Sequence, residues 1–185
     1  MNYGGIGPDA HEKRDTAGRG GSMGRGGNIV LIGMPGSGKS TLAALLGRKL
    51  GRPVANVDDL VRARAGMSIR EIFARYGEAR FRDLESEVVA EIGAKRGQIV
   101  ATGGGTVLRR QNVEALRRNG RLFLLDRPLE ALTPSEERPL GDTREKLARL
   151  YRERMPVYRA AADEVIPVSG TPEETASLIE SRCKE

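Results

Sequence analysis

Gly33-Met34-Pro35-Gly36-Ser37-Gly38-Lys39-Ser40 is the stretch on which the fold turns. It follows an apolar run, Asn28–Ile32, and precedes residues 41–50, where Leu42, Leu45, Leu46 and Leu50 recur at helical spacing up to Gly51. Strand, glycine loop and helix in that order, with G-x-x-x-x-G-K-[ST] between them, form a phosphate-binding loop. Glycines at 33, 36 and 38 let the backbone curl without Cβ clashes, so successive N–H groups converge on one anion. The helix that follows adds its positive dipole end. Lys39 is placed to reach β- and γ-phosphates, and the Ser40 hydroxyl to occupy one position on Mg²⁺. Gly36, Ser37, Gly38, Lys39, Ser40 and Thr41 are therefore the candidate nucleotide-binding residues. A plain glycine-rich turn is the alternative, which the complete motif and its flanks disfavour.

Outward from the loop, apolar strand-like runs at 52–57, 98–102, 121–125 and 164–167 alternate with helical patterns, which predicts an α/β fold with a five-stranded parallel sheet flanked by helices. Asp58 falls at the carboxyl end of the second run, where open α/β sheets bind their ligands. Taken alone, however, the pair reads better as a cap, Asp58 or Asp59, for the helix predicted at 60–65. Ser68 with Glu71 forms a capping box, Gly77 breaks the pattern, and 78–95 reads as a helix burying Phe81, Leu84, Val88, Val89 and Ile92. Arg82 and Glu85 share a face of that helix. The run at 98–102 ends in Gly103-Gly104-Gly105, a costly sequence unless backbone must approach something closely; a tight corner is the alternative. Leu122 to Asp126 has the weak pattern of a strand whose terminal acid holds Mg²⁺. Residues 133–141, rich in proline and charge, read as a lid-like loop. Asp142 is expected to cap a helix running to about Arg154, with Pro156 interrupting it before a further turn or two at 157–162. A last helix at 171–182 begins with Pro172 at its first position.

Composition narrows the chemistry. The 185 residues carry 31 Lys and Arg against 25 Asp and Glu, a formal charge of +6 that suits a handler of phosphates and small acids. Aromatic residues make up 4% and are not interleaved with the basic ones, so no nucleic-acid partner is expected. The single histidine, His11, and the single cysteine, Cys183, leave nothing from which to build a Ser-His-Asp triad or a zinc cluster. Acid–base work falls to carboxylates or lysines. Residues 1–27 are glycine-rich and poor in large apolar side chains, and read as a disordered tail before a single domain at 28–185; Met23 is a second candidate start. No apolar run approaches the roughly 18 residues of a membrane span, and no apolar leader is seen. A monomeric cytoplasmic protein without a membrane partner is expected.

Together these pieces resemble the shikimate kinase family, from Asn28 nearly to the end of the chain. Besides the phosphate loop and Asp58, the resemblance rests on Gly77-Glu78-Ala79-Arg80-Phe81-Arg82-Asp83-Leu84-Glu85, on Ala101-Thr102-Gly103-Gly104-Gly105, on Arg138-Pro139-Leu140 and on Arg154-Met155-Pro156-Val157-Tyr158. It implies a three-layer P-loop NTPase fold with a helical substrate-binding segment and a short lid. It further implies transfer of the γ-phosphoryl group of MgATP to a hydroxyl of shikimate. In that reading Arg82 and Arg154 clamp the substrate carboxylate, as planar guanidinium groups do well, and Glu85 orients Arg82. Asp58 accepts from the ring hydroxyls and takes the proton, Gly103, Gly104 and Gly105 admit the ring to the backbone, and Arg138 swings over the phosphates. Lys39, Asp58 and Arg138 are then the catalytic residues, with Ser40 on the metal.

Two departures from the family pattern stand out. Asn56 replaces the first acid of a D-x-D, so a group that helps hold the water shell of Mg²⁺ is an amide, able to bond a metal water but without charge. The lid lacks the basic residue the family places against adenine, with Glu136 and Glu137 near that place. A kinase for another small hydroxy acid, gluconate-like, and a nucleotide-binding homologue with weakened turnover are the competing readings. A GTPase is disfavoured by the lack of D-x-x-G and N-K-x-D motifs.

Overall fold

The computed structural model describes residues 26–133 and 143–184. Five strands form one parallel sheet: β1 (Asn28–Ile32), β2 (Val54–Asn56), β3 (Ile99–Ala101), β4 (Gly120–Asp126) and β5 (Glu164–Pro167), in the order β2-β3-β1-β4-β5. Val30 of β1 pairs with Val100 of β3 on one side and Leu122 of β4 on the other. The helices are α1 (Lys39–Leu50), α2 (Val57–Ala65), α3 (Ile69–Ala94), α4 (Arg110–Arg117), α5 (Arg144–Ala161) and α6 (Pro172–Lys184).

Alternation along buried strands feeds two cores. Val30, Ile32, Val100, Leu122 and Leu124 face one side of the sheet, where α2, α3, α4 and α5 close over them. Ile29, Leu31, Ile99, Phe123, Leu125 and Ile166 face the other, under α1 and α6. The five-stranded parallel sheet flanked by helices that the sequence predicts is therefore present, and so are the three layers that the resemblance implied. From β1 the chain crosses to β2 at one edge and returns to β3 between them; only then does it cross to β4, so the crevice at the carboxyl ends of β1 and β3 is the switch point where α/β sheets hold ligands.

Local signals account for most boundaries. Gly51, at φ 62°, closes α1 in the left-handed conformation. Ser68 and Glu71 form the capping box at the start of α3, and those bonds hold the Glu71 carboxyl below its usual range. Gly77, at φ 77°, divides α3 with a kink as the sequence suggested.

Three expectations need correction. The cap of α2 is neither Asp58 nor Asp59 but Asn56, whose Oδ1 accepts from the N–H groups of both. Thr143, not Asp142, caps α5, its Oγ1 accepting from Lys146 N; Asp142 itself lies outside the described residues. Pro156 does not interrupt α5. It forfeits one hydrogen bond, but Leu147, Leu150 and Met155 before it and Tyr158 after it are all buried, so packing carries the helix through. The lid segment, with Arg138, Glu136 and Glu137, also lies outside the described residues.

Candidate active site

A cavity of about 310 Å³ opens at the carboxyl ends of β1, β2 and β3. One wall is the phosphate loop, Pro35 to Thr41, built from backbone. Gly38, at φ 95°, precedes α1, whose first turn has no side-chain cap, leaving its N–H groups to an anion. Lys39 is buried, and its Nζ donates to the carbonyl oxygens of Gly33 (2.9 Å) and Met34 (2.8 Å), inside the curl of the loop. Ser40 and Thr41 are exposed at its rim.

The opposite wall is built from side chains. Asp58 comes from the first turn of α2, Arg82 and Glu85 from α3, Gly103, Gly104 and Gly105 from the end of β3, and Arg154 from α5. Thus every candidate nucleotide- or substrate-binding residue among the described residues lines one cavity, except Ser37, which is buried in the loop behind it. Glu85 is fully buried with both carboxylate oxygens engaged: Oε2 accepts from Arg82 Nη1 at 2.8 Å, and Oε1 from Thr106 Oγ1 at 2.7 Å. A carboxylate tied at both oxygens orients Arg82. Glu78 holds the other edge of Arg82, accepting from Nε and Nη2 at 3.2 Å each.

Arg154 differs. It is 7% exposed, and among the described residues no carboxylate pairs with it; Nη1 donates to the carbonyl oxygen of Gly104 at 3.0 Å. A guanidinium buried without a counter-charge is unfavourable unless an anion arrives. Since the Arg82 charge is already offset by two glutamates, Arg154 is the cavity's arginine without a carboxylate partner among the described residues.

The three glycines have distinct reasons. None adopts positive φ, so backbone conformation does not demand glycine in this turn; what comes close to it is protein. A Cβ at Gly103 would lie 2.7 Å from Asp58 Oδ1 and 2.7 Å from Glu85 Oε1. At Gly104 it would meet Pro35 Cγ at 2.8 Å, and at Gly105 the guanidinium atoms of Arg82 at 2.3 to 2.4 Å.

On the metal side, Asn56 Nδ2 donates to Ser40 Oγ at 3.1 Å. The cap fixes the amide's orientation: Oδ1 is spent on α2, and only the NH₂ faces Ser40. A donor cannot accept from a metal-bound water, so Asn56 as placed offers less than its residue type suggested. Asp59 is exposed and paired with Arg62. Asp126 ends β4 as its pattern anticipated, but accepts from Arg159 and stands outside the cavity lining.

Sequence reasoning gave no role to Thr106, Glu78 or Tyr158. Tyr158 is fully buried, and its hydroxyl donates to the Gly104 carbonyl that Arg154 also uses. Its position one helical turn after Arg154 was the available signal.

Comparison with known proteins agrees with this geometry. The model of the shikimate kinase family matches residues 35–184. The chain is 41% identical over 160 residues to the shikimate kinase of Thermodesulfovibrio yellowstonii, covering 82% of this chain and 92% of that one. It is 45% identical over 152 residues to that of Geobacter sulfurreducens, covering 78% and 83%. Among solved structures, shikimate kinase from Acinetobacter baumannii in complex with shikimate superposes with a TM-score of 0.80 at 31% identity, covering 84% of this chain and 92% of the other.

Proposed function

The chain belongs to the shikimate kinase family, and from that premise we propose how its residues divide the work of phosphorylating shikimate. The enzyme is a phosphotransferase that moves the γ-phosphoryl group of ATP to a hydroxyl of shikimate. The observation that carries the residue assignment is the shared cavity: a backbone-built anion cradle faces a buried guanidinium, without a carboxylate partner among the described residues, across a space fit for a small acid.

Arg154 and Arg82 take the substrate carboxylate, with Glu85 and Glu78 holding Arg82 in place. Asp58, beside Gly103, accepts from the ring hydroxyls and receives the proton of the attacking one as its oxygen bonds to the γ-phosphorus and ADP leaves, giving shikimate 3-phosphate. The phosphate loop binds ATP through its N–H groups, and Lys39 exchanges its loop carbonyls for phosphate oxygens. Arg138 is assigned to the phosphates from the sequence alone. The catalytic work is positioning and charge stabilisation rather than covalent chemistry.

Ser40 fits Mg²⁺ that arrives with the nucleotide: a hydroxyl at the first turn of α1, beside the place phosphates occupy. Among the described residues no group of three or more His, Cys, Asp or Glu could hold the ion alone. When bound, the metal would supply positive charge that offsets the charge of the phosphates. We also propose one kinase domain over 28–185 acting as a cytoplasmic monomer, without nucleic-acid or membrane partners. Supporting this, no helix among the described residues is long and apolar enough to cross a membrane.

A coupled ADP-release assay with shikimate tests the assignment. Wild type should release ADP only with shikimate, and Arg82→Ala should lower kcat/KM for shikimate at least tenfold with the KM for ATP within twofold. Turnover with a gluconate-like acid in place of shikimate would transfer the reading to the competing kinase.

A further inference from the structure

The two guanidiniums that face the acid come from helices that reach the site independently, α3 and α5. Something must set their separation, because a carboxylate gripped from two sides tolerates little misplacement. The hydrogen bonds converge on one atom. Gly104 O accepts from Arg154 Nη1 at 3.0 Å and from the hydroxyl of Tyr158, so both its lone pairs are used. The next residue, Gly105, lies against the guanidinium of Arg82 closely enough that a Cβ would stand 2.3 to 2.4 Å from its atoms. The Gly104–Gly105 peptide is trans and planar, so fixing its carbonyl fixes its whole plane. One peptide unit therefore contacts Arg154 through its oxygen and Arg82 through its following backbone.

We propose that Tyr158 is a positioning residue for the acidic substrate: its hydroxyl pins the Gly104–Gly105 peptide to α5, and that peptide spaces Arg154 and Arg82 for one carboxylate. The inference rests on the assignment of those arginines to the substrate carboxylate. Tyr158 suits the task. The ring is fully buried in the core that joins α5 to the sheet, so the hydroxyl cannot wander. Its phenol stays a donor over the working range, since burial raises its pKa to about 12 with Arg154 and Arg82 only partly opposing the shift. The hydroxyl touches no reacting atom; it acts through the peptide it holds and through the Arg154 guanidinium, with which it also hydrogen-bonds.

The test is Tyr158→Phe in the full chain, which keeps the buried ring and deletes the bond. Assays run below the variant's own melting midpoint, followed by circular dichroism. The expected result is a rise of about tenfold in the KM for shikimate, with the KM for ATP within twofold and kcat within threefold. The carboxamide analogue of shikimate, which lacks the charge, should have the same KM with both proteins. In Arg154→Lys, which lacks the planar fork, adding Tyr158→Phe should cost less than it does in wild type. An unchanged KM for shikimate, a parallel rise for ATP, or an equal loss with the carboxamide each overturns the inference. Calorimetric titration of shikimate without ATP separates the two readings. Equal affinity of wild type and Tyr158→Phe, in a protein that still turns shikimate over, sinks the inference alone. Wild type that neither binds nor phosphorylates shikimate sinks the functional assignment and the inference with it.

Discussion

Two glycine-rich turns meet in one cavity, and they need glycine for opposite reasons. Gly38 has φ 95°, a conformation that L side chains rarely adopt, yet a Cβ there would find open space. Gly105 has φ −112°, open to any residue, yet a Cβ there would run into Arg82. The phosphate loop demands a backbone shape, whereas the turn after β3 demands room for side chains that arrive from elsewhere. A cradle made of N–H groups is a property of one contiguous stretch. A wall built from Asp58, Arg82 and Arg154 is a property of the fold.

The sharpest way to break this contrast is Arg154→Met. If the side-chain wall is a carboxylate clamp separate from the phosphate wall, the KM for shikimate should rise about a hundredfold, which is about 3 kcal/mol, while the KM for ATP stays within twofold. The melting temperature should hold or increase, because the substitution removes a buried charge with no counter-charge among the described residues. A fall of several degrees, or equal losses for both substrates, would show that Arg154 belongs to the scaffold.

A pair of alanines sharpens it further. Gly38→Ala should act through backbone strain of about 1 to 2 kcal/mol, lowering the melting temperature and ATP affinity. Gly105→Ala has no such strain; the colliding group is the buried Arg82 guanidinium, so whatever stability is lost comes from moving the Arg82–Glu85 pair rather than from the backbone. Its cost falls on Arg82, displaced from Glu85, with kcat/KM for shikimate down about tenfold. If Gly105→Ala melts the protein while leaving shikimate kinetics intact, the turn is a structural corner after all.

The same contrast explains what could be read in advance. The alternation of strands and helices, and with it a parallel sheet flanked by helices, followed from hydrophobic pattern and from glycine and capping signals, which are local. The phosphate loop was legible residue by residue because shape is encoded where it occurs. The clamp was legible only through the resemblance of separated motifs, since nothing near Arg82 in sequence announces Gly105, and nothing near Gly104 announces Tyr158. Asn56 was misjudged for the same reason. Its residue type was visible, but not that a helix would claim its oxygen.

Asn56 is where the two walls join, bonding Ser40 of the phosphate loop on one side and capping α2, which carries Asp58, on the other. Asn56→Asp should keep the cap, because Asp and Asn serve equally well there, and should add an acceptor and a negative charge beside Ser40. The expected change is small and confined to the metal. The ratio of ADP affinities measured by calorimetry with and without Mg²⁺ should rise about threefold, with shikimate affinity unaltered. Asn56→Ala, which loses the cap, should instead cost about 1 kcal/mol of stability and loosen Asp58 as well. If Asn56→Asp leaves the ADP ratio unmoved, the amide serves only the helix, and the seam between the walls is structural rather than part of the metal's surroundings.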